Sequence, residues 1–187
     1  MEKLLTFLRK LGPLSAEATD AIAAISRPVN ISRYKNLQQI GQTCQTIYFL
    51  EQGIARIYYY KNDIDITEGF YFEQSIIVRA ESLFTGKPSR KAIQVLEDSV
   101  LTAIDSSKFF ALFNTYPPIE RIFRKIIETA YVETINRMES IQFNTAEERY
   151  QSLIKSNPHL LKKVPLKYIA SYLGITQVSL SRIRANQ

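Results

Sequence analysis

The chain has one cysteine, Cys44, and one histidine, His159, in 187 residues. A single thiol allows no internal disulfide, and the sequence reads as that of a protein kept in a reducing, cytoplasmic compartment. A Cys/His metal cluster cannot be assembled from two residues. A Cys–His nucleophile pair is formally available. However, Cys44 lies in Gly41-Gln42-Thr43-Cys44-Gln45-Thr46 and His159 follows Asn157-Pro158, and neither setting would activate it. A small semi-buried thiol and a loop imidazole are the simpler readings. Glycine is also scarce, six residues scattered along the chain, and none are grouped into a phosphate-cradling loop. No run approaches the roughly 18 consecutive apolar residues a membrane-spanning helix needs. Glu2, Lys3, Arg9 and Lys10 interrupt the N-terminus, which does not read as a signal peptide. The expectation is a non-enzyme that needs no metal or cofactor and has no membrane partner.

The C-terminal fifth lacks acid altogether. From Arg149 to Gln187 there are seven basic residues (Arg149, Lys155, Lys162, Lys163, Lys167, Arg182 and Arg184) and no Asp or Glu. The first 148 residues carry seventeen basic and eighteen acidic groups, so the whole excess of +6 sits in that tail. A short basic module on a neutral body is the electrostatic footprint of a nucleic-acid binder. Charge alone leaves a solvated basic face as an equal alternative, and the pattern of the same residues must decide. The body is ordinary: 45% hydrophobic and 22% charged, enough for a core in one large domain or two small ones.

Residues 1–26 read as helical, with a break at Gly12-Pro13 and Ser15 as an N-cap for 16–25. Residues 28–105 read as strands. The β-branched and aromatic runs 47–50 and 54–60 flank Glu51-Gln52-Gly53, a turn with Gly where positive φ is needed. Lys61-Asn62-Asp63 is a second turn before 64–67, and 69–78 and 93–104 supply further strands. Short strands at this spacing indicate a β-sandwich or barrel. Residues 81–90 form a loop with room for one helical turn. Ser106-Ser107 cap a segment ending near Asn114. Pro117-Pro118 then open a helix to about Phe143, with apolar residues at three- and four-residue steps from Ile119 to Ile141. About 25 residues make roughly 37 Å of helix, long for a protein of this size, and part of such a stripe can pair with a second copy. Residues 145–187 read as a compact helical bundle opened by a capping box, Thr145 to Glu148, with Asn157-Pro158 ending its first helix.

The tail holds the most specific pattern. A helix-turn-helix crosses two short helices steeply through a tight turn. It needs a small residue in the first helix, met by Ala170, and a residue tolerant of left-handed backbone at the turn, met by Gly174. Ile169, Leu173, Ile175, Leu180 and Ile183 fill the inner faces, and Thr176 is placed to cap the second helix. The outer face of that helix offers Gln177, Val178, Ser179, Ser181, Arg182 and Arg184, suited to base edges and phosphates of a major groove.

With those residues in place, nearly the whole chain resembles the Crp/Fnr family of bacterial transcription regulators. The carriers are the segment Ile47-Tyr48-Phe49-Leu50-Glu51-Gln52-Gly53, the loop with Leu83-Phe84 and Arg90-Lys91-Ala92, the long helix and the helix-turn-helix. The short Thr85-Gly86-Lys87-Pro88-Ser89 loop is similar to divergent members from Bacteroidetes-type bacteria. The resemblance implies an α+β fold: a cyclic-nucleotide-binding-like β-roll over 1–116, a long dimerisation helix and linker over 117–143, and a DNA-binding domain over 144–187. It implies a homodimer on duplex DNA, with Gln177, Val178 and Arg182 at base edges and Thr176 and Ser179 at phosphate. RNA polymerase and a small anionic effector are further candidate partners.

Members that bind cyclic AMP carry Gly-Glu before the Leu-Phe, then Arg-Ser/Thr-Ala. Here the loop reads Arg79-Ala80-Glu81-Ser82-Leu83-Phe84 and Ser89-Arg90-Lys91-Ala92. Arg90 fits, Lys91 replaces the hydroxyl residue, and the Gly-Glu pair is lost or shifted. Glu81, Ser82, Ser89, Arg90 and Lys91 are the candidate effector residues of a degenerate pocket, and cyclic AMP is expected not to bind at physiological levels. The cysteines of the oxygen-sensing branch are absent, which excludes an iron–sulfur cluster. The chain ends soon after Arg184, where members often add a β-wing, so fewer flanking phosphate contacts are expected. A reading from another class is a β-roll sensor or scaffold whose helical tail docks a protein partner.

Overall fold

Gly12 and Pro13 stop the first helix where the pattern requires. In the computed structural model, which describes residues 1–185, α1 (Glu2–Leu11) is followed by α2 (Ala16–Ala24), and the Ser15 side chain accepts from the N–H of Ala18. The first strand begins directly afterwards, earlier than expected. β1 (Ser26–Ile31) carries Pro28, which an edge strand tolerates because its outer N–H has no ladder partner.

Seven strands follow: β2 (Asn36–Gln38), β3 (Thr46–Gln52), β4 (Ala55–Lys61), β5 (Ile64–Tyr71), β6 (Ile76–Ile77), β7 (Ala92–Val95) and β8 (Ser99–Asp105). They form two antiparallel four-stranded sheets, ordered β1-β8-β3-β6 and β2-β7-β4-β5. The β3–β4 connection places Gly53 at φ +116, and the β4–β5 turn puts both Asn62 and Asp63 in the left-handed region, the signature of a tight hairpin. Between the sheets Tyr48, Leu50, Ile57, Ile77, Ile93, Val95 and Leu101 interleave, alternating inward along each strand.

Between β6 and β7 lies one short helix, α3 (Ala80–Thr85), closed by Gly86 in the left-handed conformation. After β8, the cap of α4 (Ser106–Thr115) is Asp105 rather than Ser106 or Ser107: its carboxylate accepts from the N–H of Lys108 at 3.0 Å. Asp105 still has extended backbone as the last residue of β8, the conformation an N-cap needs. Pro117 and Pro118 occupy the first turn of α5 (Pro117–Phe143), which has no use for their missing N–H groups. Leu4, Leu8, Ile22, Phe109, Ile119, Ile122 and Phe123 make a second core, packing α1, α2, α4 and the start of α5 on Ile47, Phe49 and Ile104. Beyond Ile127 the helix leaves this core.

Four helices complete the described chain: α6 (Ala146–Ser156), α7 (Leu160–Lys163), α8 (Leu166–Leu173) and α9 (Gln177–Ala185). Thr145 and Glu148 make the reciprocal capping box at the start of α6.

Candidate nucleic-acid interface

The α8–α9 pair is built on Gly174. Its φ of 71° and ψ of 30° end α8, with its N–H on Ser171 O and the N–H of Ile175 on Ala170 O. This is the Schellman arrangement, in which the left-handed residue turns the chain back across the helix end. Ile169, Ala170, Leu173 and Leu180 are buried at 1% exposure or less, and Tyr150, Leu160 and Val164 complete the small core. Ala170 therefore sits where the helices cross and a larger side chain would separate them. Thr176 caps α9, its hydroxyl accepting from the N–H of Ser179 at 3.1 Å.

Two arginines from outside the pair hold the carbonyl end of α8. Arg149 of α6 donates twice to Leu173 O, and Arg137 of α5 donates to Tyr172 O and stacks on the Tyr172 ring. Cations at a helix C-terminus are favourable against its negative end. Burial pulls the Arg137 pKa below the usual guanidinium value. Arg149, counted with the basic tail in the sequence, is thus spent on structure.

The opposite side of α9 is open. Thr176, Gln177, Val178, Ser181, Arg182 and Arg184 are exposed and Ser179 is half-buried. Arg182 and Arg184 make no ion pair among the described residues. A helix with an apolar face sunk in its own domain and an outer face of Gln, Ser and Arg around an exposed Val can present donors, acceptors and a methyl surface to a groove.

The loop between β6 and β7 is held by the hydroxyls of two of its serines. The Ser82 hydroxyl accepts from Cys44 N–H and donates to Lys87 O, and Ser89 is bonded to both N–H and C=O of Lys91. Both serines are buried and serve the loop itself. Glu81 and Arg90 are exposed and make no ion pair among the described residues. The Lys91 ammonium lies 2.5 Å from a carboxylate oxygen of Glu68, and the buried Arg79 guanidinium is 3.6 Å from the other. Glu68 reaches the loop from β5, a strand distant in sequence, and no local motif marks it. Tyr71, on the same strand, has its phenol pushed up to about 12 by burial and by the nearby Glu68 charge. One shallow groove of about 300 Å³ is lined by residues 30–32, 52 and 98–100, and another of about 380 Å³ runs past Leu37, Gln38, Gln42 and Tyr48, where Gln42 O accepts from the N–H of Ser89 in this loop.

Residues 29–116, which span the double sheet from within its first strand, match the family described as cyclic nucleotide-binding domain. No curated protein is a match. Among solved structures, a protein from Eubacterium rectale described as a transcriptional regulator of the crp/fnr family shares 14% identity at a TM-score of 0.75, covering 92% of this chain and 83% of that one. FixK2 from Bradyrhizobium japonicum gives 14% and 0.75 over 87% and 84%. A CooA variant from Carboxydothermus hydrogenoformans gives 18% and 0.69 over 92% and 80%. At these identities the likeness is one of fold.

Proposed function

We propose that the protein is a dimeric, sequence-specific DNA-binding regulator of transcription. The observation that carries this is the open, uncompensated polar and basic face of α9 on a helix-turn-helix whose other side is fully packed. The fold shared with a crp/fnr regulator supports it. Gln177, Val178 and Arg182 read base edges, Thr176 and Ser179 meet phosphate, and Ser181 and Arg184 flank them. The working units are the β-roll to 116, the long helix to 143 and the DNA-binding domain beyond it.

Dimerisation follows from the exposed half of α5. Ile127, Tyr131, Thr134, Met138 and Ile141 succeed one another at steps of four and three, with Tyr131, Met138 and Ile141 at 66%, 48% and 55% exposure. A 3.5-residue apolar repeat left uncovered fits a second copy in a coiled coil. A two-fold pair through this stripe would set two α9 helices on successive turns of one DNA face.

The β-roll does not fit cyclic AMP. Both loop serines are spent internally, and Lys91 and Arg79 are paired with Glu68, which leaves Arg90 exposed at the loop surface. An incoming nucleotide phosphate would compete with that carboxylate for Lys91 and Arg79, and Glu81 lies exposed. DNA binding therefore proceeds without it.

Selection from a random duplex library tests the function. The expected product is a two-fold-symmetric motif whose half-sites are centred about one helical turn apart. Failure to enrich any motif would overturn the proposal and favour a tail that docks protein.

A further inference from the structure

β5 ends the second sheet, and an edge strand exposes unpaired backbone groups unless something covers it. Here the cover is α8, the first helix of the helix-turn-helix. The N–H of Thr67 donates to the Ser171 hydroxyl at 3.1 Å, and Phe70 packs on Tyr172 with ring centres 5.2 Å apart. Ile54 and Leu96 of the β-roll join the core of the C-terminal helices, and Lys163 pairs with Glu97.

At the centre of this contact is Arg56, 1% exposed, on β4. Its guanidinium edge is taken up entirely within the β-roll. Two nitrogens grip Asp65 at 2.5 and 2.7 Å, one of them also reaches Thr67 at 3.0 Å, and Nε donates to Gln94 at 2.9 Å. The faces of the plane remain. The guanidinium carbon lies over two rings, Tyr58 at 4.2 Å from the ring centre and Tyr168 of α8 at 3.5 Å. The cation is thus fixed rigidly by one domain and presents a flat face to the other. Such a cation–π contact is strongest where water is excluded, and only the planar guanidinium can bond at its edge and stack at its face together.

We propose that Arg56 is a positioning residue for DNA binding: the pin that seats the helix-turn-helix on the β-roll with α9 facing outward. Thr176, Gln177, Val178, Arg182 and Arg184 are exposed in the seated pose, so seating does not mask the groove-reading surface. It fixes the direction in which that surface points, and a dimer gripping two half-sites needs both copies so fixed. The inference rests on the proposed function for its DNA arm and on geometry alone for its seating arm.

The experiment compares full-length Tyr168→Leu, which keeps apolar volume in the small core, and Arg56→Lys, which keeps the charge, with wild type. The seating arm reads hydrogen exchange at the Thr67 amide, whose bond to Ser171 exists only when α8 is seated. Exchange should quicken by roughly tenfold or more in both variants while the β4–β5 ladder stays protected, since a desolvated cation–π contact shifts the seating equilibrium by about that much. The DNA arm reads affinity for a mixed-sequence 30-base-pair duplex. It should fall several-fold with an unchanged salt slope, because no phosphate contact has been removed. Unchanged Thr67 exchange in Arg56→Lys would overturn the pin, whatever becomes of Tyr168→Leu. Faster exchange with unchanged DNA affinity would overturn the positioning role. If wild type binds no duplex, the proposed function fails and the exchange result still decides the seating.

Discussion

Replacing Gly53 by Ala tests how the β-roll supports the C-terminal helices. Gly53 has φ +116, a region L-residues rarely enter, and an added Cβ would lie 2.8 Å from Ser99 Cβ and 3.2 Å from Ser99 Cα. The backbone conformation costs a non-glycine residue about 1–2 kcal/mol. The collision adds the overpacking cost of about 1–3 kcal/mol, because Ser99 is part of β8 and can yield only if that strand moves. The total is roughly 2–5 kcal/mol. For a chain of this length each kcal/mol lowers Tm by about 2–4 °C, which predicts a fall of about 4–20 °C. The next residue, Ile54, is buried among the C-terminal helices, so the strain is passed to their seat. Circular dichroism melts of Gly53→Ala, Ser99→Gly and the double variant give the coupling. The double variant should recover the collision part, at least about 1 kcal/mol, and leave the backbone part. A single variant within about 0.5 kcal/mol of wild type would refute the reasoning.

Arg182→Ala should cost about 1–3 kcal/mol on a selected operator and relax the preference at one base pair, read by competition binding. An equal loss on random duplex would make Arg182 a phosphate contact. Met138→Glu should turn a dimer into a monomer in light scattering at micromolar concentration, since it buries a charge in the apolar seam; a wild-type monomer would contradict the seam. The Tyr71 phenol titrates near 12 when folded and near 10 when unfolded. The folded state therefore holds the proton more tightly, and stability is lost as pH rises between those values. Urea melts at pH 9 and 11.5 should show a loss on the order of 2 kcal/mol in wild type that is largely absent in Tyr71→Phe.

Features that depend on a few neighbouring residues were legible in the sequence. Gly174 as the left-handed turn, the Thr145–Glu148 box, Ser15 as a cap, Asn62-Asp63 as a hairpin and Pro117-Pro118 as a helix start each follow from local backbone chemistry, and each stands as read. Ser106 and Ser107 are as good cap residues as Asp105 by type, and only the extended backbone at the end of β8 decides for Asp105. β2 and α7, three and four residues long, are too short for a periodic signal. The loop toward which Arg90 and Lys91 pointed could not be understood from its own residues, because Glu68 reaches it from another strand. Arg56 was likewise opaque. Nothing in its neighbours along the strand marks it, and only the assembled fold surrounds it with Asp65, Gln94 and Tyr168. Local propensity reports turns and caps, whereas buried polar partners are chosen by tertiary contact.

The central claim, that α9 and the acid-free tail bind duplex DNA, is tested most directly by fluorescence anisotropy with a labelled duplex across a salt series. Each neutralised phosphate contributes about 0.9 to the slope of log affinity against log salt. A dimer presenting Arg182, Arg184 and neighbouring lysines from two copies should give a slope of about −4 or steeper, with binding lost progressively between about 50 and 200 mM salt. No binding at 50 mM, or affinity that does not change with salt, would contradict the account.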